Sequence, residues 1–233
     1  MKIKGKTIVI SGASDGIGRS IALKLAKNKA NLILLGRDEE RLKKLKKQCD
    51  FSGVNTVTYA FDLRDDKIRN NVFDKICDSN EVDVLINNAG IWHKSDDITN
   101  ISEEKIKEVI DVNLTSHILL TRRLLGGMRG REGTAIVNII SKSGLVPQSG
   151  EIVYTASKYG MKGFTDVLRE DTCDDAVKIS AVYQGGTSTG MFSKAGDDFQ
   201  IDFMTEPDDI AELVAFMLSR PEKMWLKEVH VGN

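Results

Sequence analysis

Short β-branched runs alternate with longer segments of helical period from one end of this chain to the other, which is the pattern of a parallel sheet covered by helices on both faces. The strand-like runs lie near 6–11, 31–36, 56–61, 82–87, 134–140, 177–183 and 228–231. Between them, Ile17, Ile21 and Leu25 mark one helical stripe, and Leu42 and Leu45 mark a second. Further helices are expected near 65–79, 102–127, 152–172 and 207–218. At 233 residues the chain suits a single large α/β unit over 1–233, and no Pro- or Gly-rich linker or repeat interrupts the alternation. The expected fold is therefore α/β, one doubly wound parallel sheet flanked by helices on both faces. The least regular stretch, 184–205, holds Gly185, Gly186, Gly190 and Gly196 without a clear period. A loop of that length in a compact unit is usually functional or disordered, and a substrate lid is expected there.

Composition excludes several classes of function. The formal net charge of −1 selects no polyanion, so a nucleic-acid partner is not expected. Lys43, Lys44, Lys46 and Lys47 alternate with apolar positions as on a solvated helix face. Cys49, Cys77 and Cys173 are odd in number and widely spaced, which argues against a disulfide framework and fits a reducing, cytoplasmic setting. His93, His117 and His230 are equally scattered, so no metal site is expected. No apolar run reaches membrane-spanning length, and the first residues lead into a short strand, so a soluble, unprocessed protein without a membrane partner is expected.

The motifs gather at the carboxyl ends of the expected strands. Thr7 to Ser11 reads as a strand, Gly12 to Gly18 as a turn, and Ile17 onward as a helix. Glycines there permit close backbone approach of a dinucleotide pyrophosphate to a helix N-terminus, although they also serve any tight turn. The spacing is Gly-x-x-x-Gly-x-Gly, not the Gly-x-Gly-x-x-Gly of most dinucleotide folds. Asn87-Asn88-Ala89-Gly90 follows the fourth strand and Asp62 ends the third, on the same rim. Tyr154 and Lys158 stand at i and i+4 in Tyr-Thr-Ala-Ser-Lys, thirteen residues after Ser141. On a helix that spacing places a phenol beside an ammonium that favours its ionised form. Four tyrosines in a lysine-rich chain make the pair alone weak evidence; its conjunction with the glycine turn points to an oxidoreductase.

With these motifs in order, the chain resembles the short-chain dehydrogenase/reductase family over essentially its whole length. The resemblance rests on Gly12, Gly16 and Gly18, on Asn87-Asn88-Ala89-Gly90, on Asn113 in Asp-Val-Asn-Leu, on Ser141 in Ile-Ile-Ser, and on Tyr154 with Lys158. It implies a Rossmann-type fold in which Tyr154 is the acid/base and Ser141 orients the substrate oxygen. Lys158 then lowers the tyrosine pKa and holds the nicotinamide ribose, and Asn113 holds a relay water. Ser143 lies in the same turn as Ser141 and is read as pocket lining. Asn113 has a plain alternative as a polar residue between helices. The resemblance places the cofactor against Gly12, Ser14, Asp15, Gly16, Ile17, Gly18, Arg37, Asp62, Leu63, Asn88, Ala89, Gly90, Tyr154, Lys158, Gly185, Thr187 and Thr189. Trp92, His93, Leu145, Glu151, Met191 and Phe192 are candidate pocket residues.

Two departures from the family pattern stand out. Gln184 occupies the place of a frequent proline after the sixth strand, and the end, Glu-Val-His-Val-Gly-Asn, lacks the frequent Asp-Gly-Gly. At the end of the second strand, Gly36 and Arg37 suit a ribose 2′-phosphate, while Asp38 reads as a helix N-cap. Asp15, where many NADP-preferring relatives carry a basic residue, opposes that reading. NADP(H) is therefore favoured and NAD(H) possible. The expected activity is hydride transfer between the cofactor and a small-molecule carbonyl or secondary alcohol. The rivals are a catalytically silent dinucleotide-binding regulator and a purely structural interaction protein. A homodimer or homotetramer is expected through the helices near 102–127 and 152–172, with Leu119, Leu124, Met161 and Phe164 as candidate contacts.

Overall fold

A computed structural model of the chain describes residues 1–79, 81–197 and 204–232. Seven strands form one sheet: β1 (Thr7–Ser11), β2 (Asn31–Gly36), β3 (Thr56–Ala60), β4 (Val84–Asn87), β5 (Ala135–Ile139), β6 (Lys178–Gln184) and β7 (Glu228–Val231). Their order is β3-β2-β1-β4-β5-β6-β7, and each neighbouring pair is parallel. The helices are α1 (Gly16–Lys27), α2 (Glu39–Asp50), α3 (Asp66–Ser79), α4 (Glu103–Ile110), α5 (Ser116–Met128), α6 (Ile152–Asp171), α7 (Met191–Lys194) and α8 (Pro207–Ser219). The expected strands and most of the expected helices are in place, with ends shifted by a residue or two.

Alternation along the strands divides the core into two layers. Ile8, Ile10, Leu32, Leu34, Val84, Ile86 and Val137 face α1, α2 and α8, whose Ile21, Leu25, Leu42, Leu45, Ile210 and Val214 complete that layer. Val9, Ile33, Leu35, Leu85, Ile136 and Ile179 face the opposite side and pack with Phe73, Ile76, Leu120 and Leu124. Chain direction across the sheet reverses between β1 and β4, so the loops leaving those two strands diverge and open a crevice at their carboxyl ends.

Four sequence expectations change. The helix expected over 102–127 is two helices, α4 and α5, joined by a π-helical turn at Asp111–Thr115 that contains Asn113. Such turns insert one extra residue and re-aim the side chains on it. The irregular stretch 184–205 has more order than its glycines suggest. β6 runs through Gln184, which pairs with Val231, α7 follows, and Thr187 bridges to Thr205; residues 198–203 lie outside the described residues. Leu145, a candidate pocket residue, packs instead beside Ile140, Met161 and Tyr183. Finally, Leu124 and Met161 are core residues and so not a free surface for a second copy, while Leu119 and Phe164 are partly buried against the core. The apolar side chains that α6 leaves exposed are Ile152, Tyr159 and Val167. Among the described residues no helix is long and apolar enough to cross a membrane.

Gly12 adopts φ +66°, in the region that favours glycine, and a Cβ there would sit 2.7 Å from Ala89 Cα. Gly18 is tighter: a Cβ would meet Gly12 O at 2.4 Å and Asn88 Nδ2 at 2.5 Å. The main chain of the turn cannot yield without moving the whole crevice. Gly18→Ala should therefore destabilise the fold by about 1–3 kcal/mol, the usual range for overpacking. Urea unfolding of parent and variant checks this through the shift in midpoint at constant slope.

Candidate active site

A cavity of about 720 Å³ occupies the crevice. The glycine turn forms one wall through Gly12, Ser14, Asp15, Gly16 and Ile17, and the ends of β2, β3 and β4 add Arg37, Asp62, Leu63, Asn88, Ala89 and Gly90. Ser141, Tyr154 and Lys158 form the facing wall, and Gly185, Thr187 and Thr189 close the side beyond β6. Of the residues expected at the site, Gly18 and Asn113 do not line the cavity. Gly18 lies under Gly12, and Asn113 lies behind Gly90. Trp92, His93, Glu151, Met191 and Phe192 line it as expected, and Ser143 does as well. Sequence reasoning missed Lys105, Glu108 and Gln148, which the fold brings to the same surface without a local motif.

The two central loops are cross-braced. Ser11 Oγ accepts the amides of Asn88 and Ala89 at 2.9 and 3.0 Å, and Asn88 Nδ2 donates to the carbonyls of Ser11 and Gly12 at 3.0 and 3.3 Å. Ser11 Oγ also lies 3.4 Å from Nε2 of His117, which is fully buried. Burial, and then the charge of Lys158, lower the His117 pKa to about 3, so the ring is neutral at physiological pH.

Asn113 holds the far side of the crevice. Its Oδ1 accepts the amide of Ile91 at 2.8 Å, and its Nδ2 donates to Ile91 O at 2.9 Å and Ser157 Oγ at 3.0 Å. Ser157 Oγ donates onward to the carbonyl of Tyr154 at 2.6 Å. Both amide hydrogens of Asn113 are thus engaged within the chain.

Tyr154 and Lys158 are 6% and 3% exposed, one turn apart on α6. The ammonium lies 5.5 Å from the phenol ring centroid. Burial pushes the phenol up to about 12, with a hydrogen bond from Ser141 acting downward and the charge of Glu151 acting upward. Burial alone brings Lys158 down to about 8. Both groups share one low-dielectric wall that penalises either charge.

The cofactor rim has its own electrostatics. Asp15 caps α1 by accepting the Gly16 amide at 2.9 Å, while its other oxygen meets Arg41 at 2.6 Å and Lys194 of α7 at 2.5 Å. Burial opposes its charge, but Lys194, the Gly16 amide and Arg41 together hold the carboxyl below its ordinary range. Asp38 caps α2 by accepting the Arg41 amide at 2.9 Å, as the sequence suggested. Arg64 grips the Asp62 carboxylate with both Nε and Nη2. Arg37 is exposed at the cavity edge and has no hydrogen bond or ion pair with another described residue.

These residues fit a dinucleotide. Thr187 Oγ1 and Gln184 Oε1 are buried in the cavity wall without a hydrogen-bond partner among the described residues. Buried polar groups are normally satisfied, so orphaned donors and acceptors on one wall mark where a polar ligand completes the site.

Comparison with known proteins agrees with the geometry. The family model described as short chain dehydrogenase matches residues 6–200, and the chain belongs to that family. It is an NAD(P)-dependent oxidoreductase. An uncharacterized oxidoreductase of Staphylococcus epidermidis is 30% identical, over 99% of this chain and 98% of the relative. An NADP-dependent 3-hydroxy acid dehydrogenase of Schizosaccharomyces pombe is also 30% identical, over 99% and 93%. A short-chain dehydrogenase from Sphingobium yanoikuyae, solved in complex with NADPH, superposes with a TM-score of 0.87 at 27% identity, covering 96% of this chain and 87% of that one.

The depressed His117 pKa carries a pH signature. Unfolded histidine binds its proton near 6.5 while the folded ring resists it to about 3, so stability must fall as pH drops below 6.5. Between pH 6.5 and 5, before most carboxylates titrate, His117→Gln should show a shallower loss of stability than the parent. Urea unfolding over that range checks the slope, independently of any uniform cost of the substitution.

Proposed function

We propose that the protein transfers hydride between NADP(H) and a small-molecule carbonyl or secondary alcohol, with Ser141, Tyr154 and Lys158 as its catalytic residues and Asn113 as their brace. The observation that carries this reading is the facing arrangement of Tyr154, Ser141 and Lys158 across one cavity from the glycine turn. A bound nicotinamide supplies the hydride in reduction and accepts it in oxidation. In reduction, the hydroxyls of Ser141 and Tyr154 hydrogen-bond the substrate carbonyl oxygen. Tyr154 Oη then donates its proton to that oxygen, and a phenol raised to about 12 is held in the protonated form this step requires. Lys158, which remains largely protonated at neutral pH, reduces the cost of the phenolate left behind. Asn113 fixes Ile91 and, through Ser157, the main chain at Tyr154, so the phenol and the loop after β4 keep one geometry. The described residues from Gln184 to Asp197 serve as cover, with Met191 and Phe192 facing the substrate end.

Preference for NADP(H) is supported at the end of β2. Gly36 carries no acidic side chain, Asp38 is turned into a cap, and the charge of Asp15 is matched by Arg41 and Lys194. Arg37 alone is left to meet a ribose 2′-phosphate with charge-assisted hydrogen bonds. Replacing Tyr154 with phenylalanine should lower kcat by at least about a hundredfold with cofactor binding retained, since acid/base catalysis contributes roughly 10²–10⁴. Near-normal turnover by that variant in an NADPH-oxidation assay with a carbonyl panel would overturn the mechanism. A cofactor-binding parent that turns over no carbonyl or alcohol would favour the silent regulator instead.

Arg37→Ala should weaken NADPH binding about tenfold or more, at roughly 1.5–3 kcal/mol for each hydrogen bond to a charged group. NADH binding should change little. Fluorescence titration of both cofactors against parent and variant checks this, and equal losses for both would remove Arg37 from phosphate recognition.

A further inference from the structure

Glu151 stands three residues before Tyr154, at the N-terminal end of α6, and lines the substrate end of the cavity. Its two carboxylate oxygens are held separately. Trp92 donates its indole N–H to Oε1 at 2.9 Å, and Ser143 donates its hydroxyl to Oε2 at 2.9 Å. The indole is itself fixed, with its ring edge-to-face against Phe192 of α7 at 5.0 Å between centroids. The loop after β4 and the turn after β5 therefore both donate to one carboxylate at the start of α6. Glu151 makes no ion pair with any described residue, unlike Asp15, Asp62, Asp83 and Glu108.

A half-buried carboxylate with two neutral donors and no ion-pair partner among the described residues retains lone pairs toward the cavity. Buried charges are normally paired, so the missing partner is the informative feature. From this arrangement we infer that Glu151 is a specificity-determining residue that selects substrates bearing a hydroxyl or ammonium donor on the side of the reacting carbon that faces it, and rejects those with a carboxylate or phosphate there. The inference rests on the reading of Tyr154 and Ser141 as the groups that hold the carbonyl oxygen. Ser143, beside Ser141 in sequence, is thereby a positioning residue for Glu151, and Trp92 is its counterpart on the other side.

The same carboxylate acts on the phenol. Ser141, Glu151 and Lys158 are the polar groups set around Tyr154, and Glu151 is the negative one, opposing phenolate formation. Removing its charge should lower the tyrosine pKa.

Four methyl ketones that differ in one substituent test the inference: hydroxyacetone, aminoacetone, butanone and pyruvate. NADPH-dependent reduction of each is measured with the parent, Glu151→Gln and Glu151→Ala. The parent should favour hydroxyacetone and aminoacetone over butanone by about tenfold or more in kcat/KM, with pyruvate poorest, since a site built to hydrogen-bond a substrate donor discriminates against the analogue lacking it. Glu151→Gln should erase most of that advantage, chiefly by raising KM for hydroxyacetone and aminoacetone relative to butanone. The kinetic pKa assigned to Tyr154 should also move down in Glu151→Gln. Equal losses for all four ketones in both variants, or a parent that prefers butanone or pyruvate, would overturn the inference and leave the catalytic reading standing. A parent that reduces no carbonyl at all would overturn both.

Discussion

Ser11 and Asn88 tie together the two loops that diverge from β1 and β4. In a doubly wound sheet the crevice at the strand-order reversal exists because consecutive crossovers leave in opposite directions, and nothing in the sheet itself fixes how far apart its two lips stand. Here Ser11 Oγ takes two amides of the opposing loop and Asn88 returns two hydrogen bonds to the glycine turn. Gly12 and Gly18 let the main chains come close enough for those bonds. The cavity, the helix N-terminus that Asp15 caps, and the wall carrying Tyr154 are all set relative to this brace.

A second set of buried amides carries that order to α5 and α6. Asn87 Nδ2 bonds Thr121 on α5 and Asn138 on β5, and Asn138 Nδ2 bonds Thr165 on α6. Asn113 then links Ile91 to Ser157 on α6. Such contacts add little net stability beyond satisfying buried groups, but a broken one leaves a desolvated donor or acceptor, so they restrict α6 to one register on the sheet. The placement of Tyr154 and Lys158 on the cavity wall follows from that register.

The alternation of strand and helix was legible because each strand is a short β-branched run and each helix long enough to show a period. The three glycines, the Asn-Asn-Ala-Gly run and the Tyr-Lys pair were legible because each is a local signal. Features set by single residues or by distant contacts were not. One extra residue in the π turn at Asp111–Thr115 leaves no mark on the apolar pattern, and α7 is a single turn, too short to show one. Asn138 and Asn87 sit in strands, where asparagine ordinarily signals a stop, and only their partners on α5 and α6 explain them. The pairing of Asp15 with Lys194 joins residues 179 positions apart, so an acidic side chain that seemed to oppose a phosphate is in fact matched by cations. Met161 and Leu124 looked available for a second copy because a sequence cannot say which face of a two-sided helix the sheet will take.

Burial acts in opposite directions on the central pair. It favours neutral Tyr154 and, more weakly at physiological pH, neutral Lys158, so the wall as folded resists forming a phenolate. The phenolate must nonetheless appear once the proton has been given up. The chain offers two aids within reach, the Ser141 hydrogen bond and the Lys158 ammonium, and one obstacle, Glu151. An obstacle beside the acid is consistent with a carboxylate whose charge is matched only when a donor-bearing substrate lies against it. On that reading, substrate binding both orients the carbonyl and offsets the repulsion that adds to burial in holding Tyr154 protonated. Recognition and proton transfer are then coupled through a single carboxylate.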